Sequence, residues 1–346
     1  MDIISVVKIL VLTTTSFVVA FIATPLLTHW LYKYHLGKKI RDEGSAPIMS
    51  RLHQSKQGTP TMGGILVWLT TLVLALLFFY LTELGFLPSM LNFFSRSETL
   101  LPLGALVASA IVGLIDDWFN VKGIGPKGGG IRMRYKLIIY TLIAVVGAWW
   151  FYYKLDWTSL YLPLVGNIDI GWWYVPLFIF IIVATSFSVN EIDGLDGLAG
   201  GTLLAAFAAY GAIAFSLGKV DLAAFCGVIA GALLAFLWFN INPARFFMGD
   251  TGAMSLGVTL GVVAMLTNAV WLLPVIGLLF VLEALSVIIQ VLSRKIRGKK
   301  VFLSTPLHHH LEAIGWPEPK IVMRFWVIAA VMSVIGVILF LVERVI

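Results

Sequence analysis

Ten long stretches with few or no charged side chains dominate this sequence. Each runs for 17 residues or more, which is enough for a helix to cross the roughly 30 Å of hydrocarbon in a lipid bilayer. The stretches lie near residues 9–27, 63–81, 99–115, 137–153, 171–190, 198–217, 222–241, 251–267, 272–290 and 325–342. Because 60% of the residues are hydrophobic and only 12% are charged, the chain has more apolar surface than a water-soluble core needs. We therefore predict an all-α, polytopic integral membrane protein with about ten transmembrane helices.

The basic residues indicate how such a chain is oriented. Of the 24 lysines and arginines, 19 lie in one set of alternate loops, which comprises residues 28–62, 116–136, 191–197, 242–250 and 291–324. By the positive-inside rule these loops face the cytoplasm and both termini face the outer side. We predict that these loops and the apolar stretches form a single transmembrane domain over residues 1–346. Basic residues scattered over separate loops argue against nucleic-acid binding, and the single cysteine excludes a disulfide within the chain.

Two adjacent acids, Asp116 and Asp117, end the third apolar stretch on the predicted cytoplasmic side. Negative charge at a helix C-terminus opposes the helix dipole, so a bound cation would relieve an unfavourable arrangement. Carboxylate oxygens of this kind, together with phosphate oxygens and water, are the ligands that Mg²⁺ takes. The alternative is a helix end exposed to water.

The segment NEIDGLDGLAGG, residues 190–201, carries Asn190, Asp193 and Asp196 among four glycines. On a helix, the spacing would place Asn190 and Asp193 on one face with Gly197. The glycines fit close packing of helices in a bilayer, but that packing does not require the acids. We interpret the acids as one side of a polar site.

Two further cytoplasmic loops contain candidate residues. Asn240 and Asp250 flank the turn after the seventh stretch, and Asp250 is either the N-cap of the next helix or a ligand. Lys56 lies beside small, turn-forming residues whose amides could hold anionic oxygens. Lys136 lies where the fourth stretch enters the membrane, so it either contacts the site or reaches to the lipid headgroups.

Histidines and one deep acid complete the candidates. His308, His309 and His310 are consecutive, so at most two of the rings can contact one ligand. They are either a surface run or groups for phosphate binding and proton transfer. Glu283 lies near the middle of the ninth stretch, where an ionisable residue is a functional candidate; a structural hydrogen-bonding role is the alternative, and the sequence does not connect it to the cytoplasmic residues.

Taken together, five motifs resemble one enzyme family. They are GTPTMGG, the Asp116-Asp117 pair, NEIDGLDGLAGG, FNINPARFFMGDTG and PLHHHLEAIGWPEP. In this order and spacing they resemble the phospho-N-acetylmuramoyl-pentapeptide transferase (translocase I) family, within the polyprenyl-phosphate N-acetylhexosamine-1-phosphate transferase superfamily. The resemblance covers about residues 50 to 330. It implies a ten-helix enzyme of the bacterial inner membrane, usually a homodimer, with its active site open to the cytoplasm.

The resemblance also implies an activity and a set of site residues. The reaction transfers phospho-MurNAc-pentapeptide from UDP-MurNAc-pentapeptide to undecaprenyl phosphate, giving lipid I and UMP for peptidoglycan synthesis, with Mg²⁺ as cofactor. The implied catalytic residues are Asp116, Asp117, Asp250 and His308, of which the three aspartates would hold the metal. The implied substrate-binding residues are Lys56, Lys136, Asn190, Asp193, Asp196 and Asn240, to which we add His309 and His310 as candidates.

Two alternatives stay open on the sequence. One is a sister enzyme that transfers N-acetylglucosamine-1-phosphate to the same class of lipid. The other is a membrane transporter, which would place ionisable groups near the middle of the membrane and be built from related halves. Only Glu283 is deep, and no internal repeat is visible in the sequence.

Overall fold

Twelve α-helices and one β-hairpin make up the described part of the chain. A computed structural model describes residues 3–37, 56–96, 98–125 and 129–345. The helices are α1 (Ile3–Lys33), α2 (Ile65–Glu83), α3 (Leu100–Lys122), α4 (Met133–Lys154), α5 (Tyr174–Ile192), α6 (Leu198–Ser216), α7 (Val220–Asn240), α8 (Gly249–Leu266), α9 (Leu273–Ile276), α10 (Leu278–Arg297), α11 (Leu307–Ala313) and α12 (Glu318–Glu343). Five of the basic residues counted above, Lys38, Lys39, Arg41, Arg51 and Lys127, lie outside these described ranges.

The prediction of an all-α polytopic membrane protein is confirmed. Within the described ranges, nine helices are long and apolar enough to cross a membrane, and a bent pair raises the number to ten if it forms one span. The bent pair corresponds to the predicted ninth stretch. It is not straight, because Val270–Ile276 meets α10 at 81°, and Gly277 between them has non-helical backbone angles.

A β-hairpin, which the sequence did not predict, lies in the loop between α4 and α5. Strand β1 (Ser159–Leu162) pairs antiparallel with β2 (Gly166–Asp169). The turn of the hairpin is attached to the end of α12, because the Glu343 carboxylate accepts hydrogen bonds from the Leu164 amide at 2.6 Å and the Tyr161 hydroxyl at 3.1 Å. Two strands of four residues leave the fold class unchanged.

Helix α8 is the centre of the bundle and is buried almost completely. It packs against α3 on one side and α5 on the other. At Gly113 the α3 backbone lies so close to Asp250 and Thr251 that a Cβ atom would overlap their backbone atoms. Since residues three and four apart share a helix face, this contact brings Asp116 and Asp117 beside the beginning of α8.

Candidate active site

Four helices bring five polar side chains together at one end of the bundle. We call these residues, Asp116, Asp117, Lys136, Asn190 and Asp250, the carboxylate cluster. The Lys136 ammonium lies 2.5 Å from the Asp116 Oδ2 atom and 2.9 Å from the Asp250 Oδ2 atom. Asn190 donates a hydrogen bond from Nδ2 to Asp250 Oδ1 at 2.6 Å. The predicted convergence of these residues, which are up to 134 positions apart, is thus present in the structure.

The two adjacent aspartates have different surroundings. Helix α3 continues past the acidic pair to Lys122, so the pair does not end the helix as predicted. Asp116 faces Lys136 and also accepts a hydrogen bond from the Ile131 amide. Asp117 points to the beginning of α8, where its two carboxylate oxygens accept the amide hydrogens of Asp250 at 3.1 Å and Thr251 at 3.0 Å. Amides in the first turn of a helix have no partner within the helix, so Asp117 caps α8 and fixes the backbone of Asp250. Its predicted role as a metal ligand stays a prediction.

Asp117→Asn is expected to lower thermal stability and activity together. An amide oxygen can accept one of the two backbone hydrogens, but the amide NH₂ faces the other, and an unsatisfied buried donor costs about 1–3 kcal/mol. Thermal unfolding of the purified protein in detergent would measure the loss. A matched control is Asp169→Asn, because Asp169 also accepts a backbone amide, that of Gly171 at 3.0 Å, but at an exposed site in the hairpin. Equal stability of both variants would contradict the capping role.

The carboxylate cluster carries more negative than positive side chains. This is the composition expected of a site that binds a cation together with oxygen atoms from a ligand. Its three carboxylates and one ammonium leave a formal excess of two negative charges. In the described residues no group of three His, Cys, Asp or Glu side chains could hold a metal ion without further ligands. Mg²⁺, however, is usually bound through one or two carboxylates plus substrate phosphates and water. Asp116 and Asp250, which both contact Lys136, supply two carboxylates, so the donor set fits Mg²⁺ when phosphate and water oxygens complete it.

A second polar group, which we call the lysine bridge, consists of Lys56, Asp196, Asn242 and Glu318. The Lys56 ammonium contacts Asp196 Oδ1 at 2.7 Å and Glu318 Oε1 at 2.5 Å. Asn242 donates to Asp196 Oδ2 at 3.0 Å, and Glu318 accepts the Asp196 amide at 2.7 Å. These contacts join the segment before α2, the turn between α5 and α6 and the start of α12. Lys56 and Asp196, both predicted to bind substrate, are therefore partners of each other.

The turn between α5 and α6 differs from the helical interpretation of residues 190–197. Helix α5 ends at Ile192, and Asp193 has non-helical backbone angles. The prediction that Asn190, Asp193 and Gly197 share one helix face was therefore wrong. Asn240 stabilises this turn, since it accepts the Gly197 amide at 2.9 Å and donates to the Phe246 carbonyl at 2.8 Å. Its role in substrate binding, like that of the half-buried Asp193, stays a prediction.

The three histidines in α11 have three different partners. His308 is fully buried and lies against Glu283. His309 Nδ1 lies 2.7 Å from Glu312 Oε2, whereas His310 Nδ1 accepts the Leu303 amide at 3.3 Å. The three rings thus have separate polar partners, and only the His308 and His309 rings contact each other, with their centroids 4.2 Å apart. Whether His309 and His310 contact substrate stays a prediction.

Sequence reasoning missed three residues of the site, which are Asn242, Glu318 and Gly249. Glu318 was part of a quoted motif but was not singled out, and only its charge, opposite to that of Lys56, could have suggested the contact. Gly249 precedes Asp250 with a φ of 73°, a conformation that glycine adopts readily. A Cβ atom there would overlap the Asp117 carboxylate and the Thr61 hydroxyl. A glycine before an aspartate carries no signal for this in the sequence.

The fold and these two polar groups define a class of protein, a multi-span membrane protein with an ionic site at one end of its helix bundle. Two family models match the chain: Glycosyl transferase family 4 over residues 99–268, and phospho-N-acetylmuramoyl-pentapeptide-transferase signature 1 over residues 56–66. The signature contains Lys56 and Thr61 of the site described above.

Curated relatives extend the similarity over nearly the whole chain. A phospho-N-acetylmuramoyl-pentapeptide-transferase of Chloroflexus aggregans is 40% identical over 343 residues, which cover 95% of this chain and 89% of the relative. The enzyme of the same name from Geobacillus sp. is 41% identical, with 93% and 94% covered. That of Halalkalibacterium halodurans is 38% identical, with 95% and 97% covered. The chain belongs to the phospho-N-acetylmuramoyl-pentapeptide-transferase family.

Proposed function

We propose that this protein transfers phospho-MurNAc-pentapeptide from UDP-MurNAc-pentapeptide to undecaprenyl phosphate, forming lipid I and UMP, and that it uses Mg²⁺ at the carboxylate cluster. The observation that carries the proposal is the Lys136 ammonium between Asp116 and Asp250 at a membrane-entry end of the bundle. One substrate is a lipid phosphate and the other a soluble diphosphate, so the two can meet only at the membrane surface. The cluster lies where helices α3 and α5 end and α4 and α8 begin.

Asp250 and Asp116 are the residues that would hold Mg²⁺. When bound, the ion supplies charge compensation for the diphosphate and alignment for in-line displacement. Asn190 holds one oxygen of Asp250 in place and leaves the other to face Lys136. Asp117 fixes the backbone from which Asp250 projects. The protein's part is therefore to keep two carboxylates and one ammonium in position for the phosphates.

The reaction that fits this arrangement is direct attack. An oxygen of the lipid phosphate attacks the sugar-linked phosphorus, a new P–O bond forms, and UMP leaves with the electrons of the broken bond. A phosphate monoester has its second pKa near about 6, so much of the acceptor is already dianionic at neutral pH. The reaction then does not require a strong base. Asp116 would accept a proton only from those lipid phosphates that still carry one.

The basic residues support a location at the cytoplasmic face of the bacterial inner membrane. Of the 24 lysines and arginines, 19 fall by sequence in the loops 28–62, 116–136, 191–197, 242–250 and 291–324, which the positive-inside rule assigns to the cytoplasm. Asp116, Lys136 and Asp250 of the carboxylate cluster belong to the same set of loops. Both termini would then face the outer side. A homodimer is proposed on the family resemblance alone.

Chelation of divalent cations is expected to abolish the activity. Inside-out membrane vesicles would be given UDP-MurNAc-pentapeptide and undecaprenyl phosphate, and release of UMP would be followed with EDTA and after addition of excess Mg²⁺. We expect the rate to fall by about 10³-fold or more, since a metal supplies several kcal/mol of transition-state stabilisation and about 1.4 kcal/mol corresponds to tenfold. Excess Mg²⁺ restores the rate, whereas excess Na⁺ does not. Undiminished UMP release in EDTA would contradict the metal role.

The same assay separates this function from the alternatives. UDP-N-acetylglucosamine in place of the muramoyl donor is expected to give no lipid product. Product formed with this simple hexosamine alone would identify the sister activity instead. No UMP release from either donor, in a folded preparation, would favour a transporter.

A further inference from the structure

Glu283 is fully buried and is the one acidic residue of the membrane helix α10. In the structure it lies against the first turn of α11. Its Oε1 atom accepts the His308 amide at 3.2 Å, and its Oε2 atom lies 3.1 Å from Nδ1 of the His308 ring. A buried charge needs a partner to offset the cost of leaving water. Among the described residues, His308 supplies the contacts that the structure gives to this carboxylate.

The other edge of the ring points to the turn between α5 and α6. A Cβ atom on Gly194 would overlap Nε2 of His308, so the ring fits there because residue 194 is a glycine. His308 is 0% exposed, and neither of its ring nitrogens makes a hydrogen bond in the described part of the chain. Nδ1 nevertheless lies 3.1 Å from the Glu283 carboxylate, whereas Nε2 lies against Gly194. Gly194 comes shortly after Asn190 in the chain, and the Asn190 side chain holds Asp250 in place. Nε2 therefore faces the turn that follows Asn190, the residue that α5 contributes to the carboxylate cluster.

From this geometry we propose that Glu283 is a positioning residue for His308: it keeps the proton on Nδ1 and holds Nε2, with its lone pair, toward the turn between α5 and α6 that follows Asn190 of the carboxylate cluster. A carboxylate beside one ring nitrogen fixes which nitrogen carries hydrogen and how the ring is turned. The inference rests on the proposed part of His308 in the transfer reaction. It gives the deep acid, which the sequence left unconnected, a place in the same site.

A purely structural role makes a different prediction. In that case Glu283 serves only to accept the His308 amide at the start of α11. Glu283→Gln separates the two roles because the amide oxygen of glutamine can still accept this backbone hydrogen. Its NH₂ group, however, would face Nδ1 and favour the wrong tautomer of the ring.

Steady-state kinetics of Glu283→Gln would test the proposal. We expect kcat to fall about 10- to 100-fold, the usual effect of losing a carboxylate behind a functional histidine, with KM for the UDP donor and thermal stability close to wild type. Ser293→Ala is the matched control. Ser293 lies on the same helix and donates to the Lys299 carbonyl at 2.9 Å in the segment before α11, so its loss loosens that segment without contacting the ring. Its kcat should stay within about threefold of wild type. A wild-type kcat for Glu283→Gln would overturn the proposal.

Two further measurements distinguish this inference from the proposed function. In a His308→Ala background, Glu283→Gln should have no additional effect, because residues that act as a unit are not additive. If His308→Ala retains full activity, the role of His308 fails and the inference with it; if His308→Ala is inactive but Glu283→Gln is normal, only the inference fails. Nitrogen NMR of histidine-labelled protein gives a readout without activity. The resonance that disappears in His308→Ala should show hydrogen on Nδ1 in the wild type, and hydrogen on Nε2 alone would overturn the assignment.

Discussion

Asp250→Asn is expected to reduce lipid I formation by about 10³-fold or more, while the protein stays folded. The carboxylate faces the Lys136 ammonium with one oxygen and Asn190 with the other. Asparagine has nearly the same shape but no charge, so the site loses a ligand for the metal and a partner for the ammonium. Removing the metal's several kcal/mol of stabilisation corresponds to about three powers of ten in rate. UMP release with saturating substrates would measure the loss.

The control for this variant is a second aspartate in an ion pair. Asp221 contacts the Lys8 ammonium at 2.6 Å at the opposite end of the bundle. Asp221→Asn removes the same charge from the same kind of pair, so its activity should stay within about threefold of wild type. Retained UMP release by Asp250→Asn, with a normal dependence on Mg²⁺, would contradict the proposed site.

Lys136→Met is expected to be the second most damaging change. Its ammonium separates the Asp116 and Asp250 carboxylates, and methionine would leave these two buried acids without a countercharge. Breaking one side of a buried ion pair costs about 3–5 kcal/mol of stability. Activity should fall by about 10²- to 10³-fold as well, the usual effect of removing one group that stabilises charge in the transition state. Parallel measurement of thermal unfolding and kcat would separate the two losses.

Lys8→Met is the matched control for this charge deletion. Lys8 is buried to a similar degree and contacts Asp221 and the Asn92 carbonyl, the latter at 2.7 Å. Its loss should lower stability as Lys136→Met does, but kcat of the folded protein should be unchanged. Lys136→Arg, which keeps the charge, should recover part of the activity. If Lys8→Met and Lys136→Met lowered kcat equally, Lys136 would be only a structural residue.

Most of the membrane architecture was predictable because it depends on local composition. A stretch such as 198–217 is long and apolar enough to span a bilayer, and as a helix it satisfies its own backbone groups there. The structure places α6 at Leu198–Ser216, within one residue of that prediction. The break at Gly277 was not predictable in the same way. A glycine after a proline is compatible with either a kink or a straight span, and packing decides between them.

The roles of single site residues were less predictable, because adjacent residues on a helix point in different directions. Asp116 and Asp117 are indistinguishable in the sequence, yet one faces Lys136 and the other caps α8. Glu318 and Lys56 are 262 positions apart, so their contact has no local signal. The hydrogen bonds of Asn240 likewise depend on the tertiary structure, which brings the Gly197 amide within reach of its side chain.

By itself, the sequence determined that this chain lies in a membrane, which of its loops carry the positive charge, and, through its motifs, the family to which it belongs. These properties follow from hydrophobicity and residue order, which do not require knowledge of distant contacts. Only the tertiary structure decided that Lys136 lies between Asp116 and Asp250, that Lys56 is paired with Asp196 and Glu318, and that Glu283 lies behind His308. The physical reason is that each of these contacts depends on how closely segments that are distant in the sequence approach each other. At Gly113 and Gly194 that approach is possible because no side chain separates them.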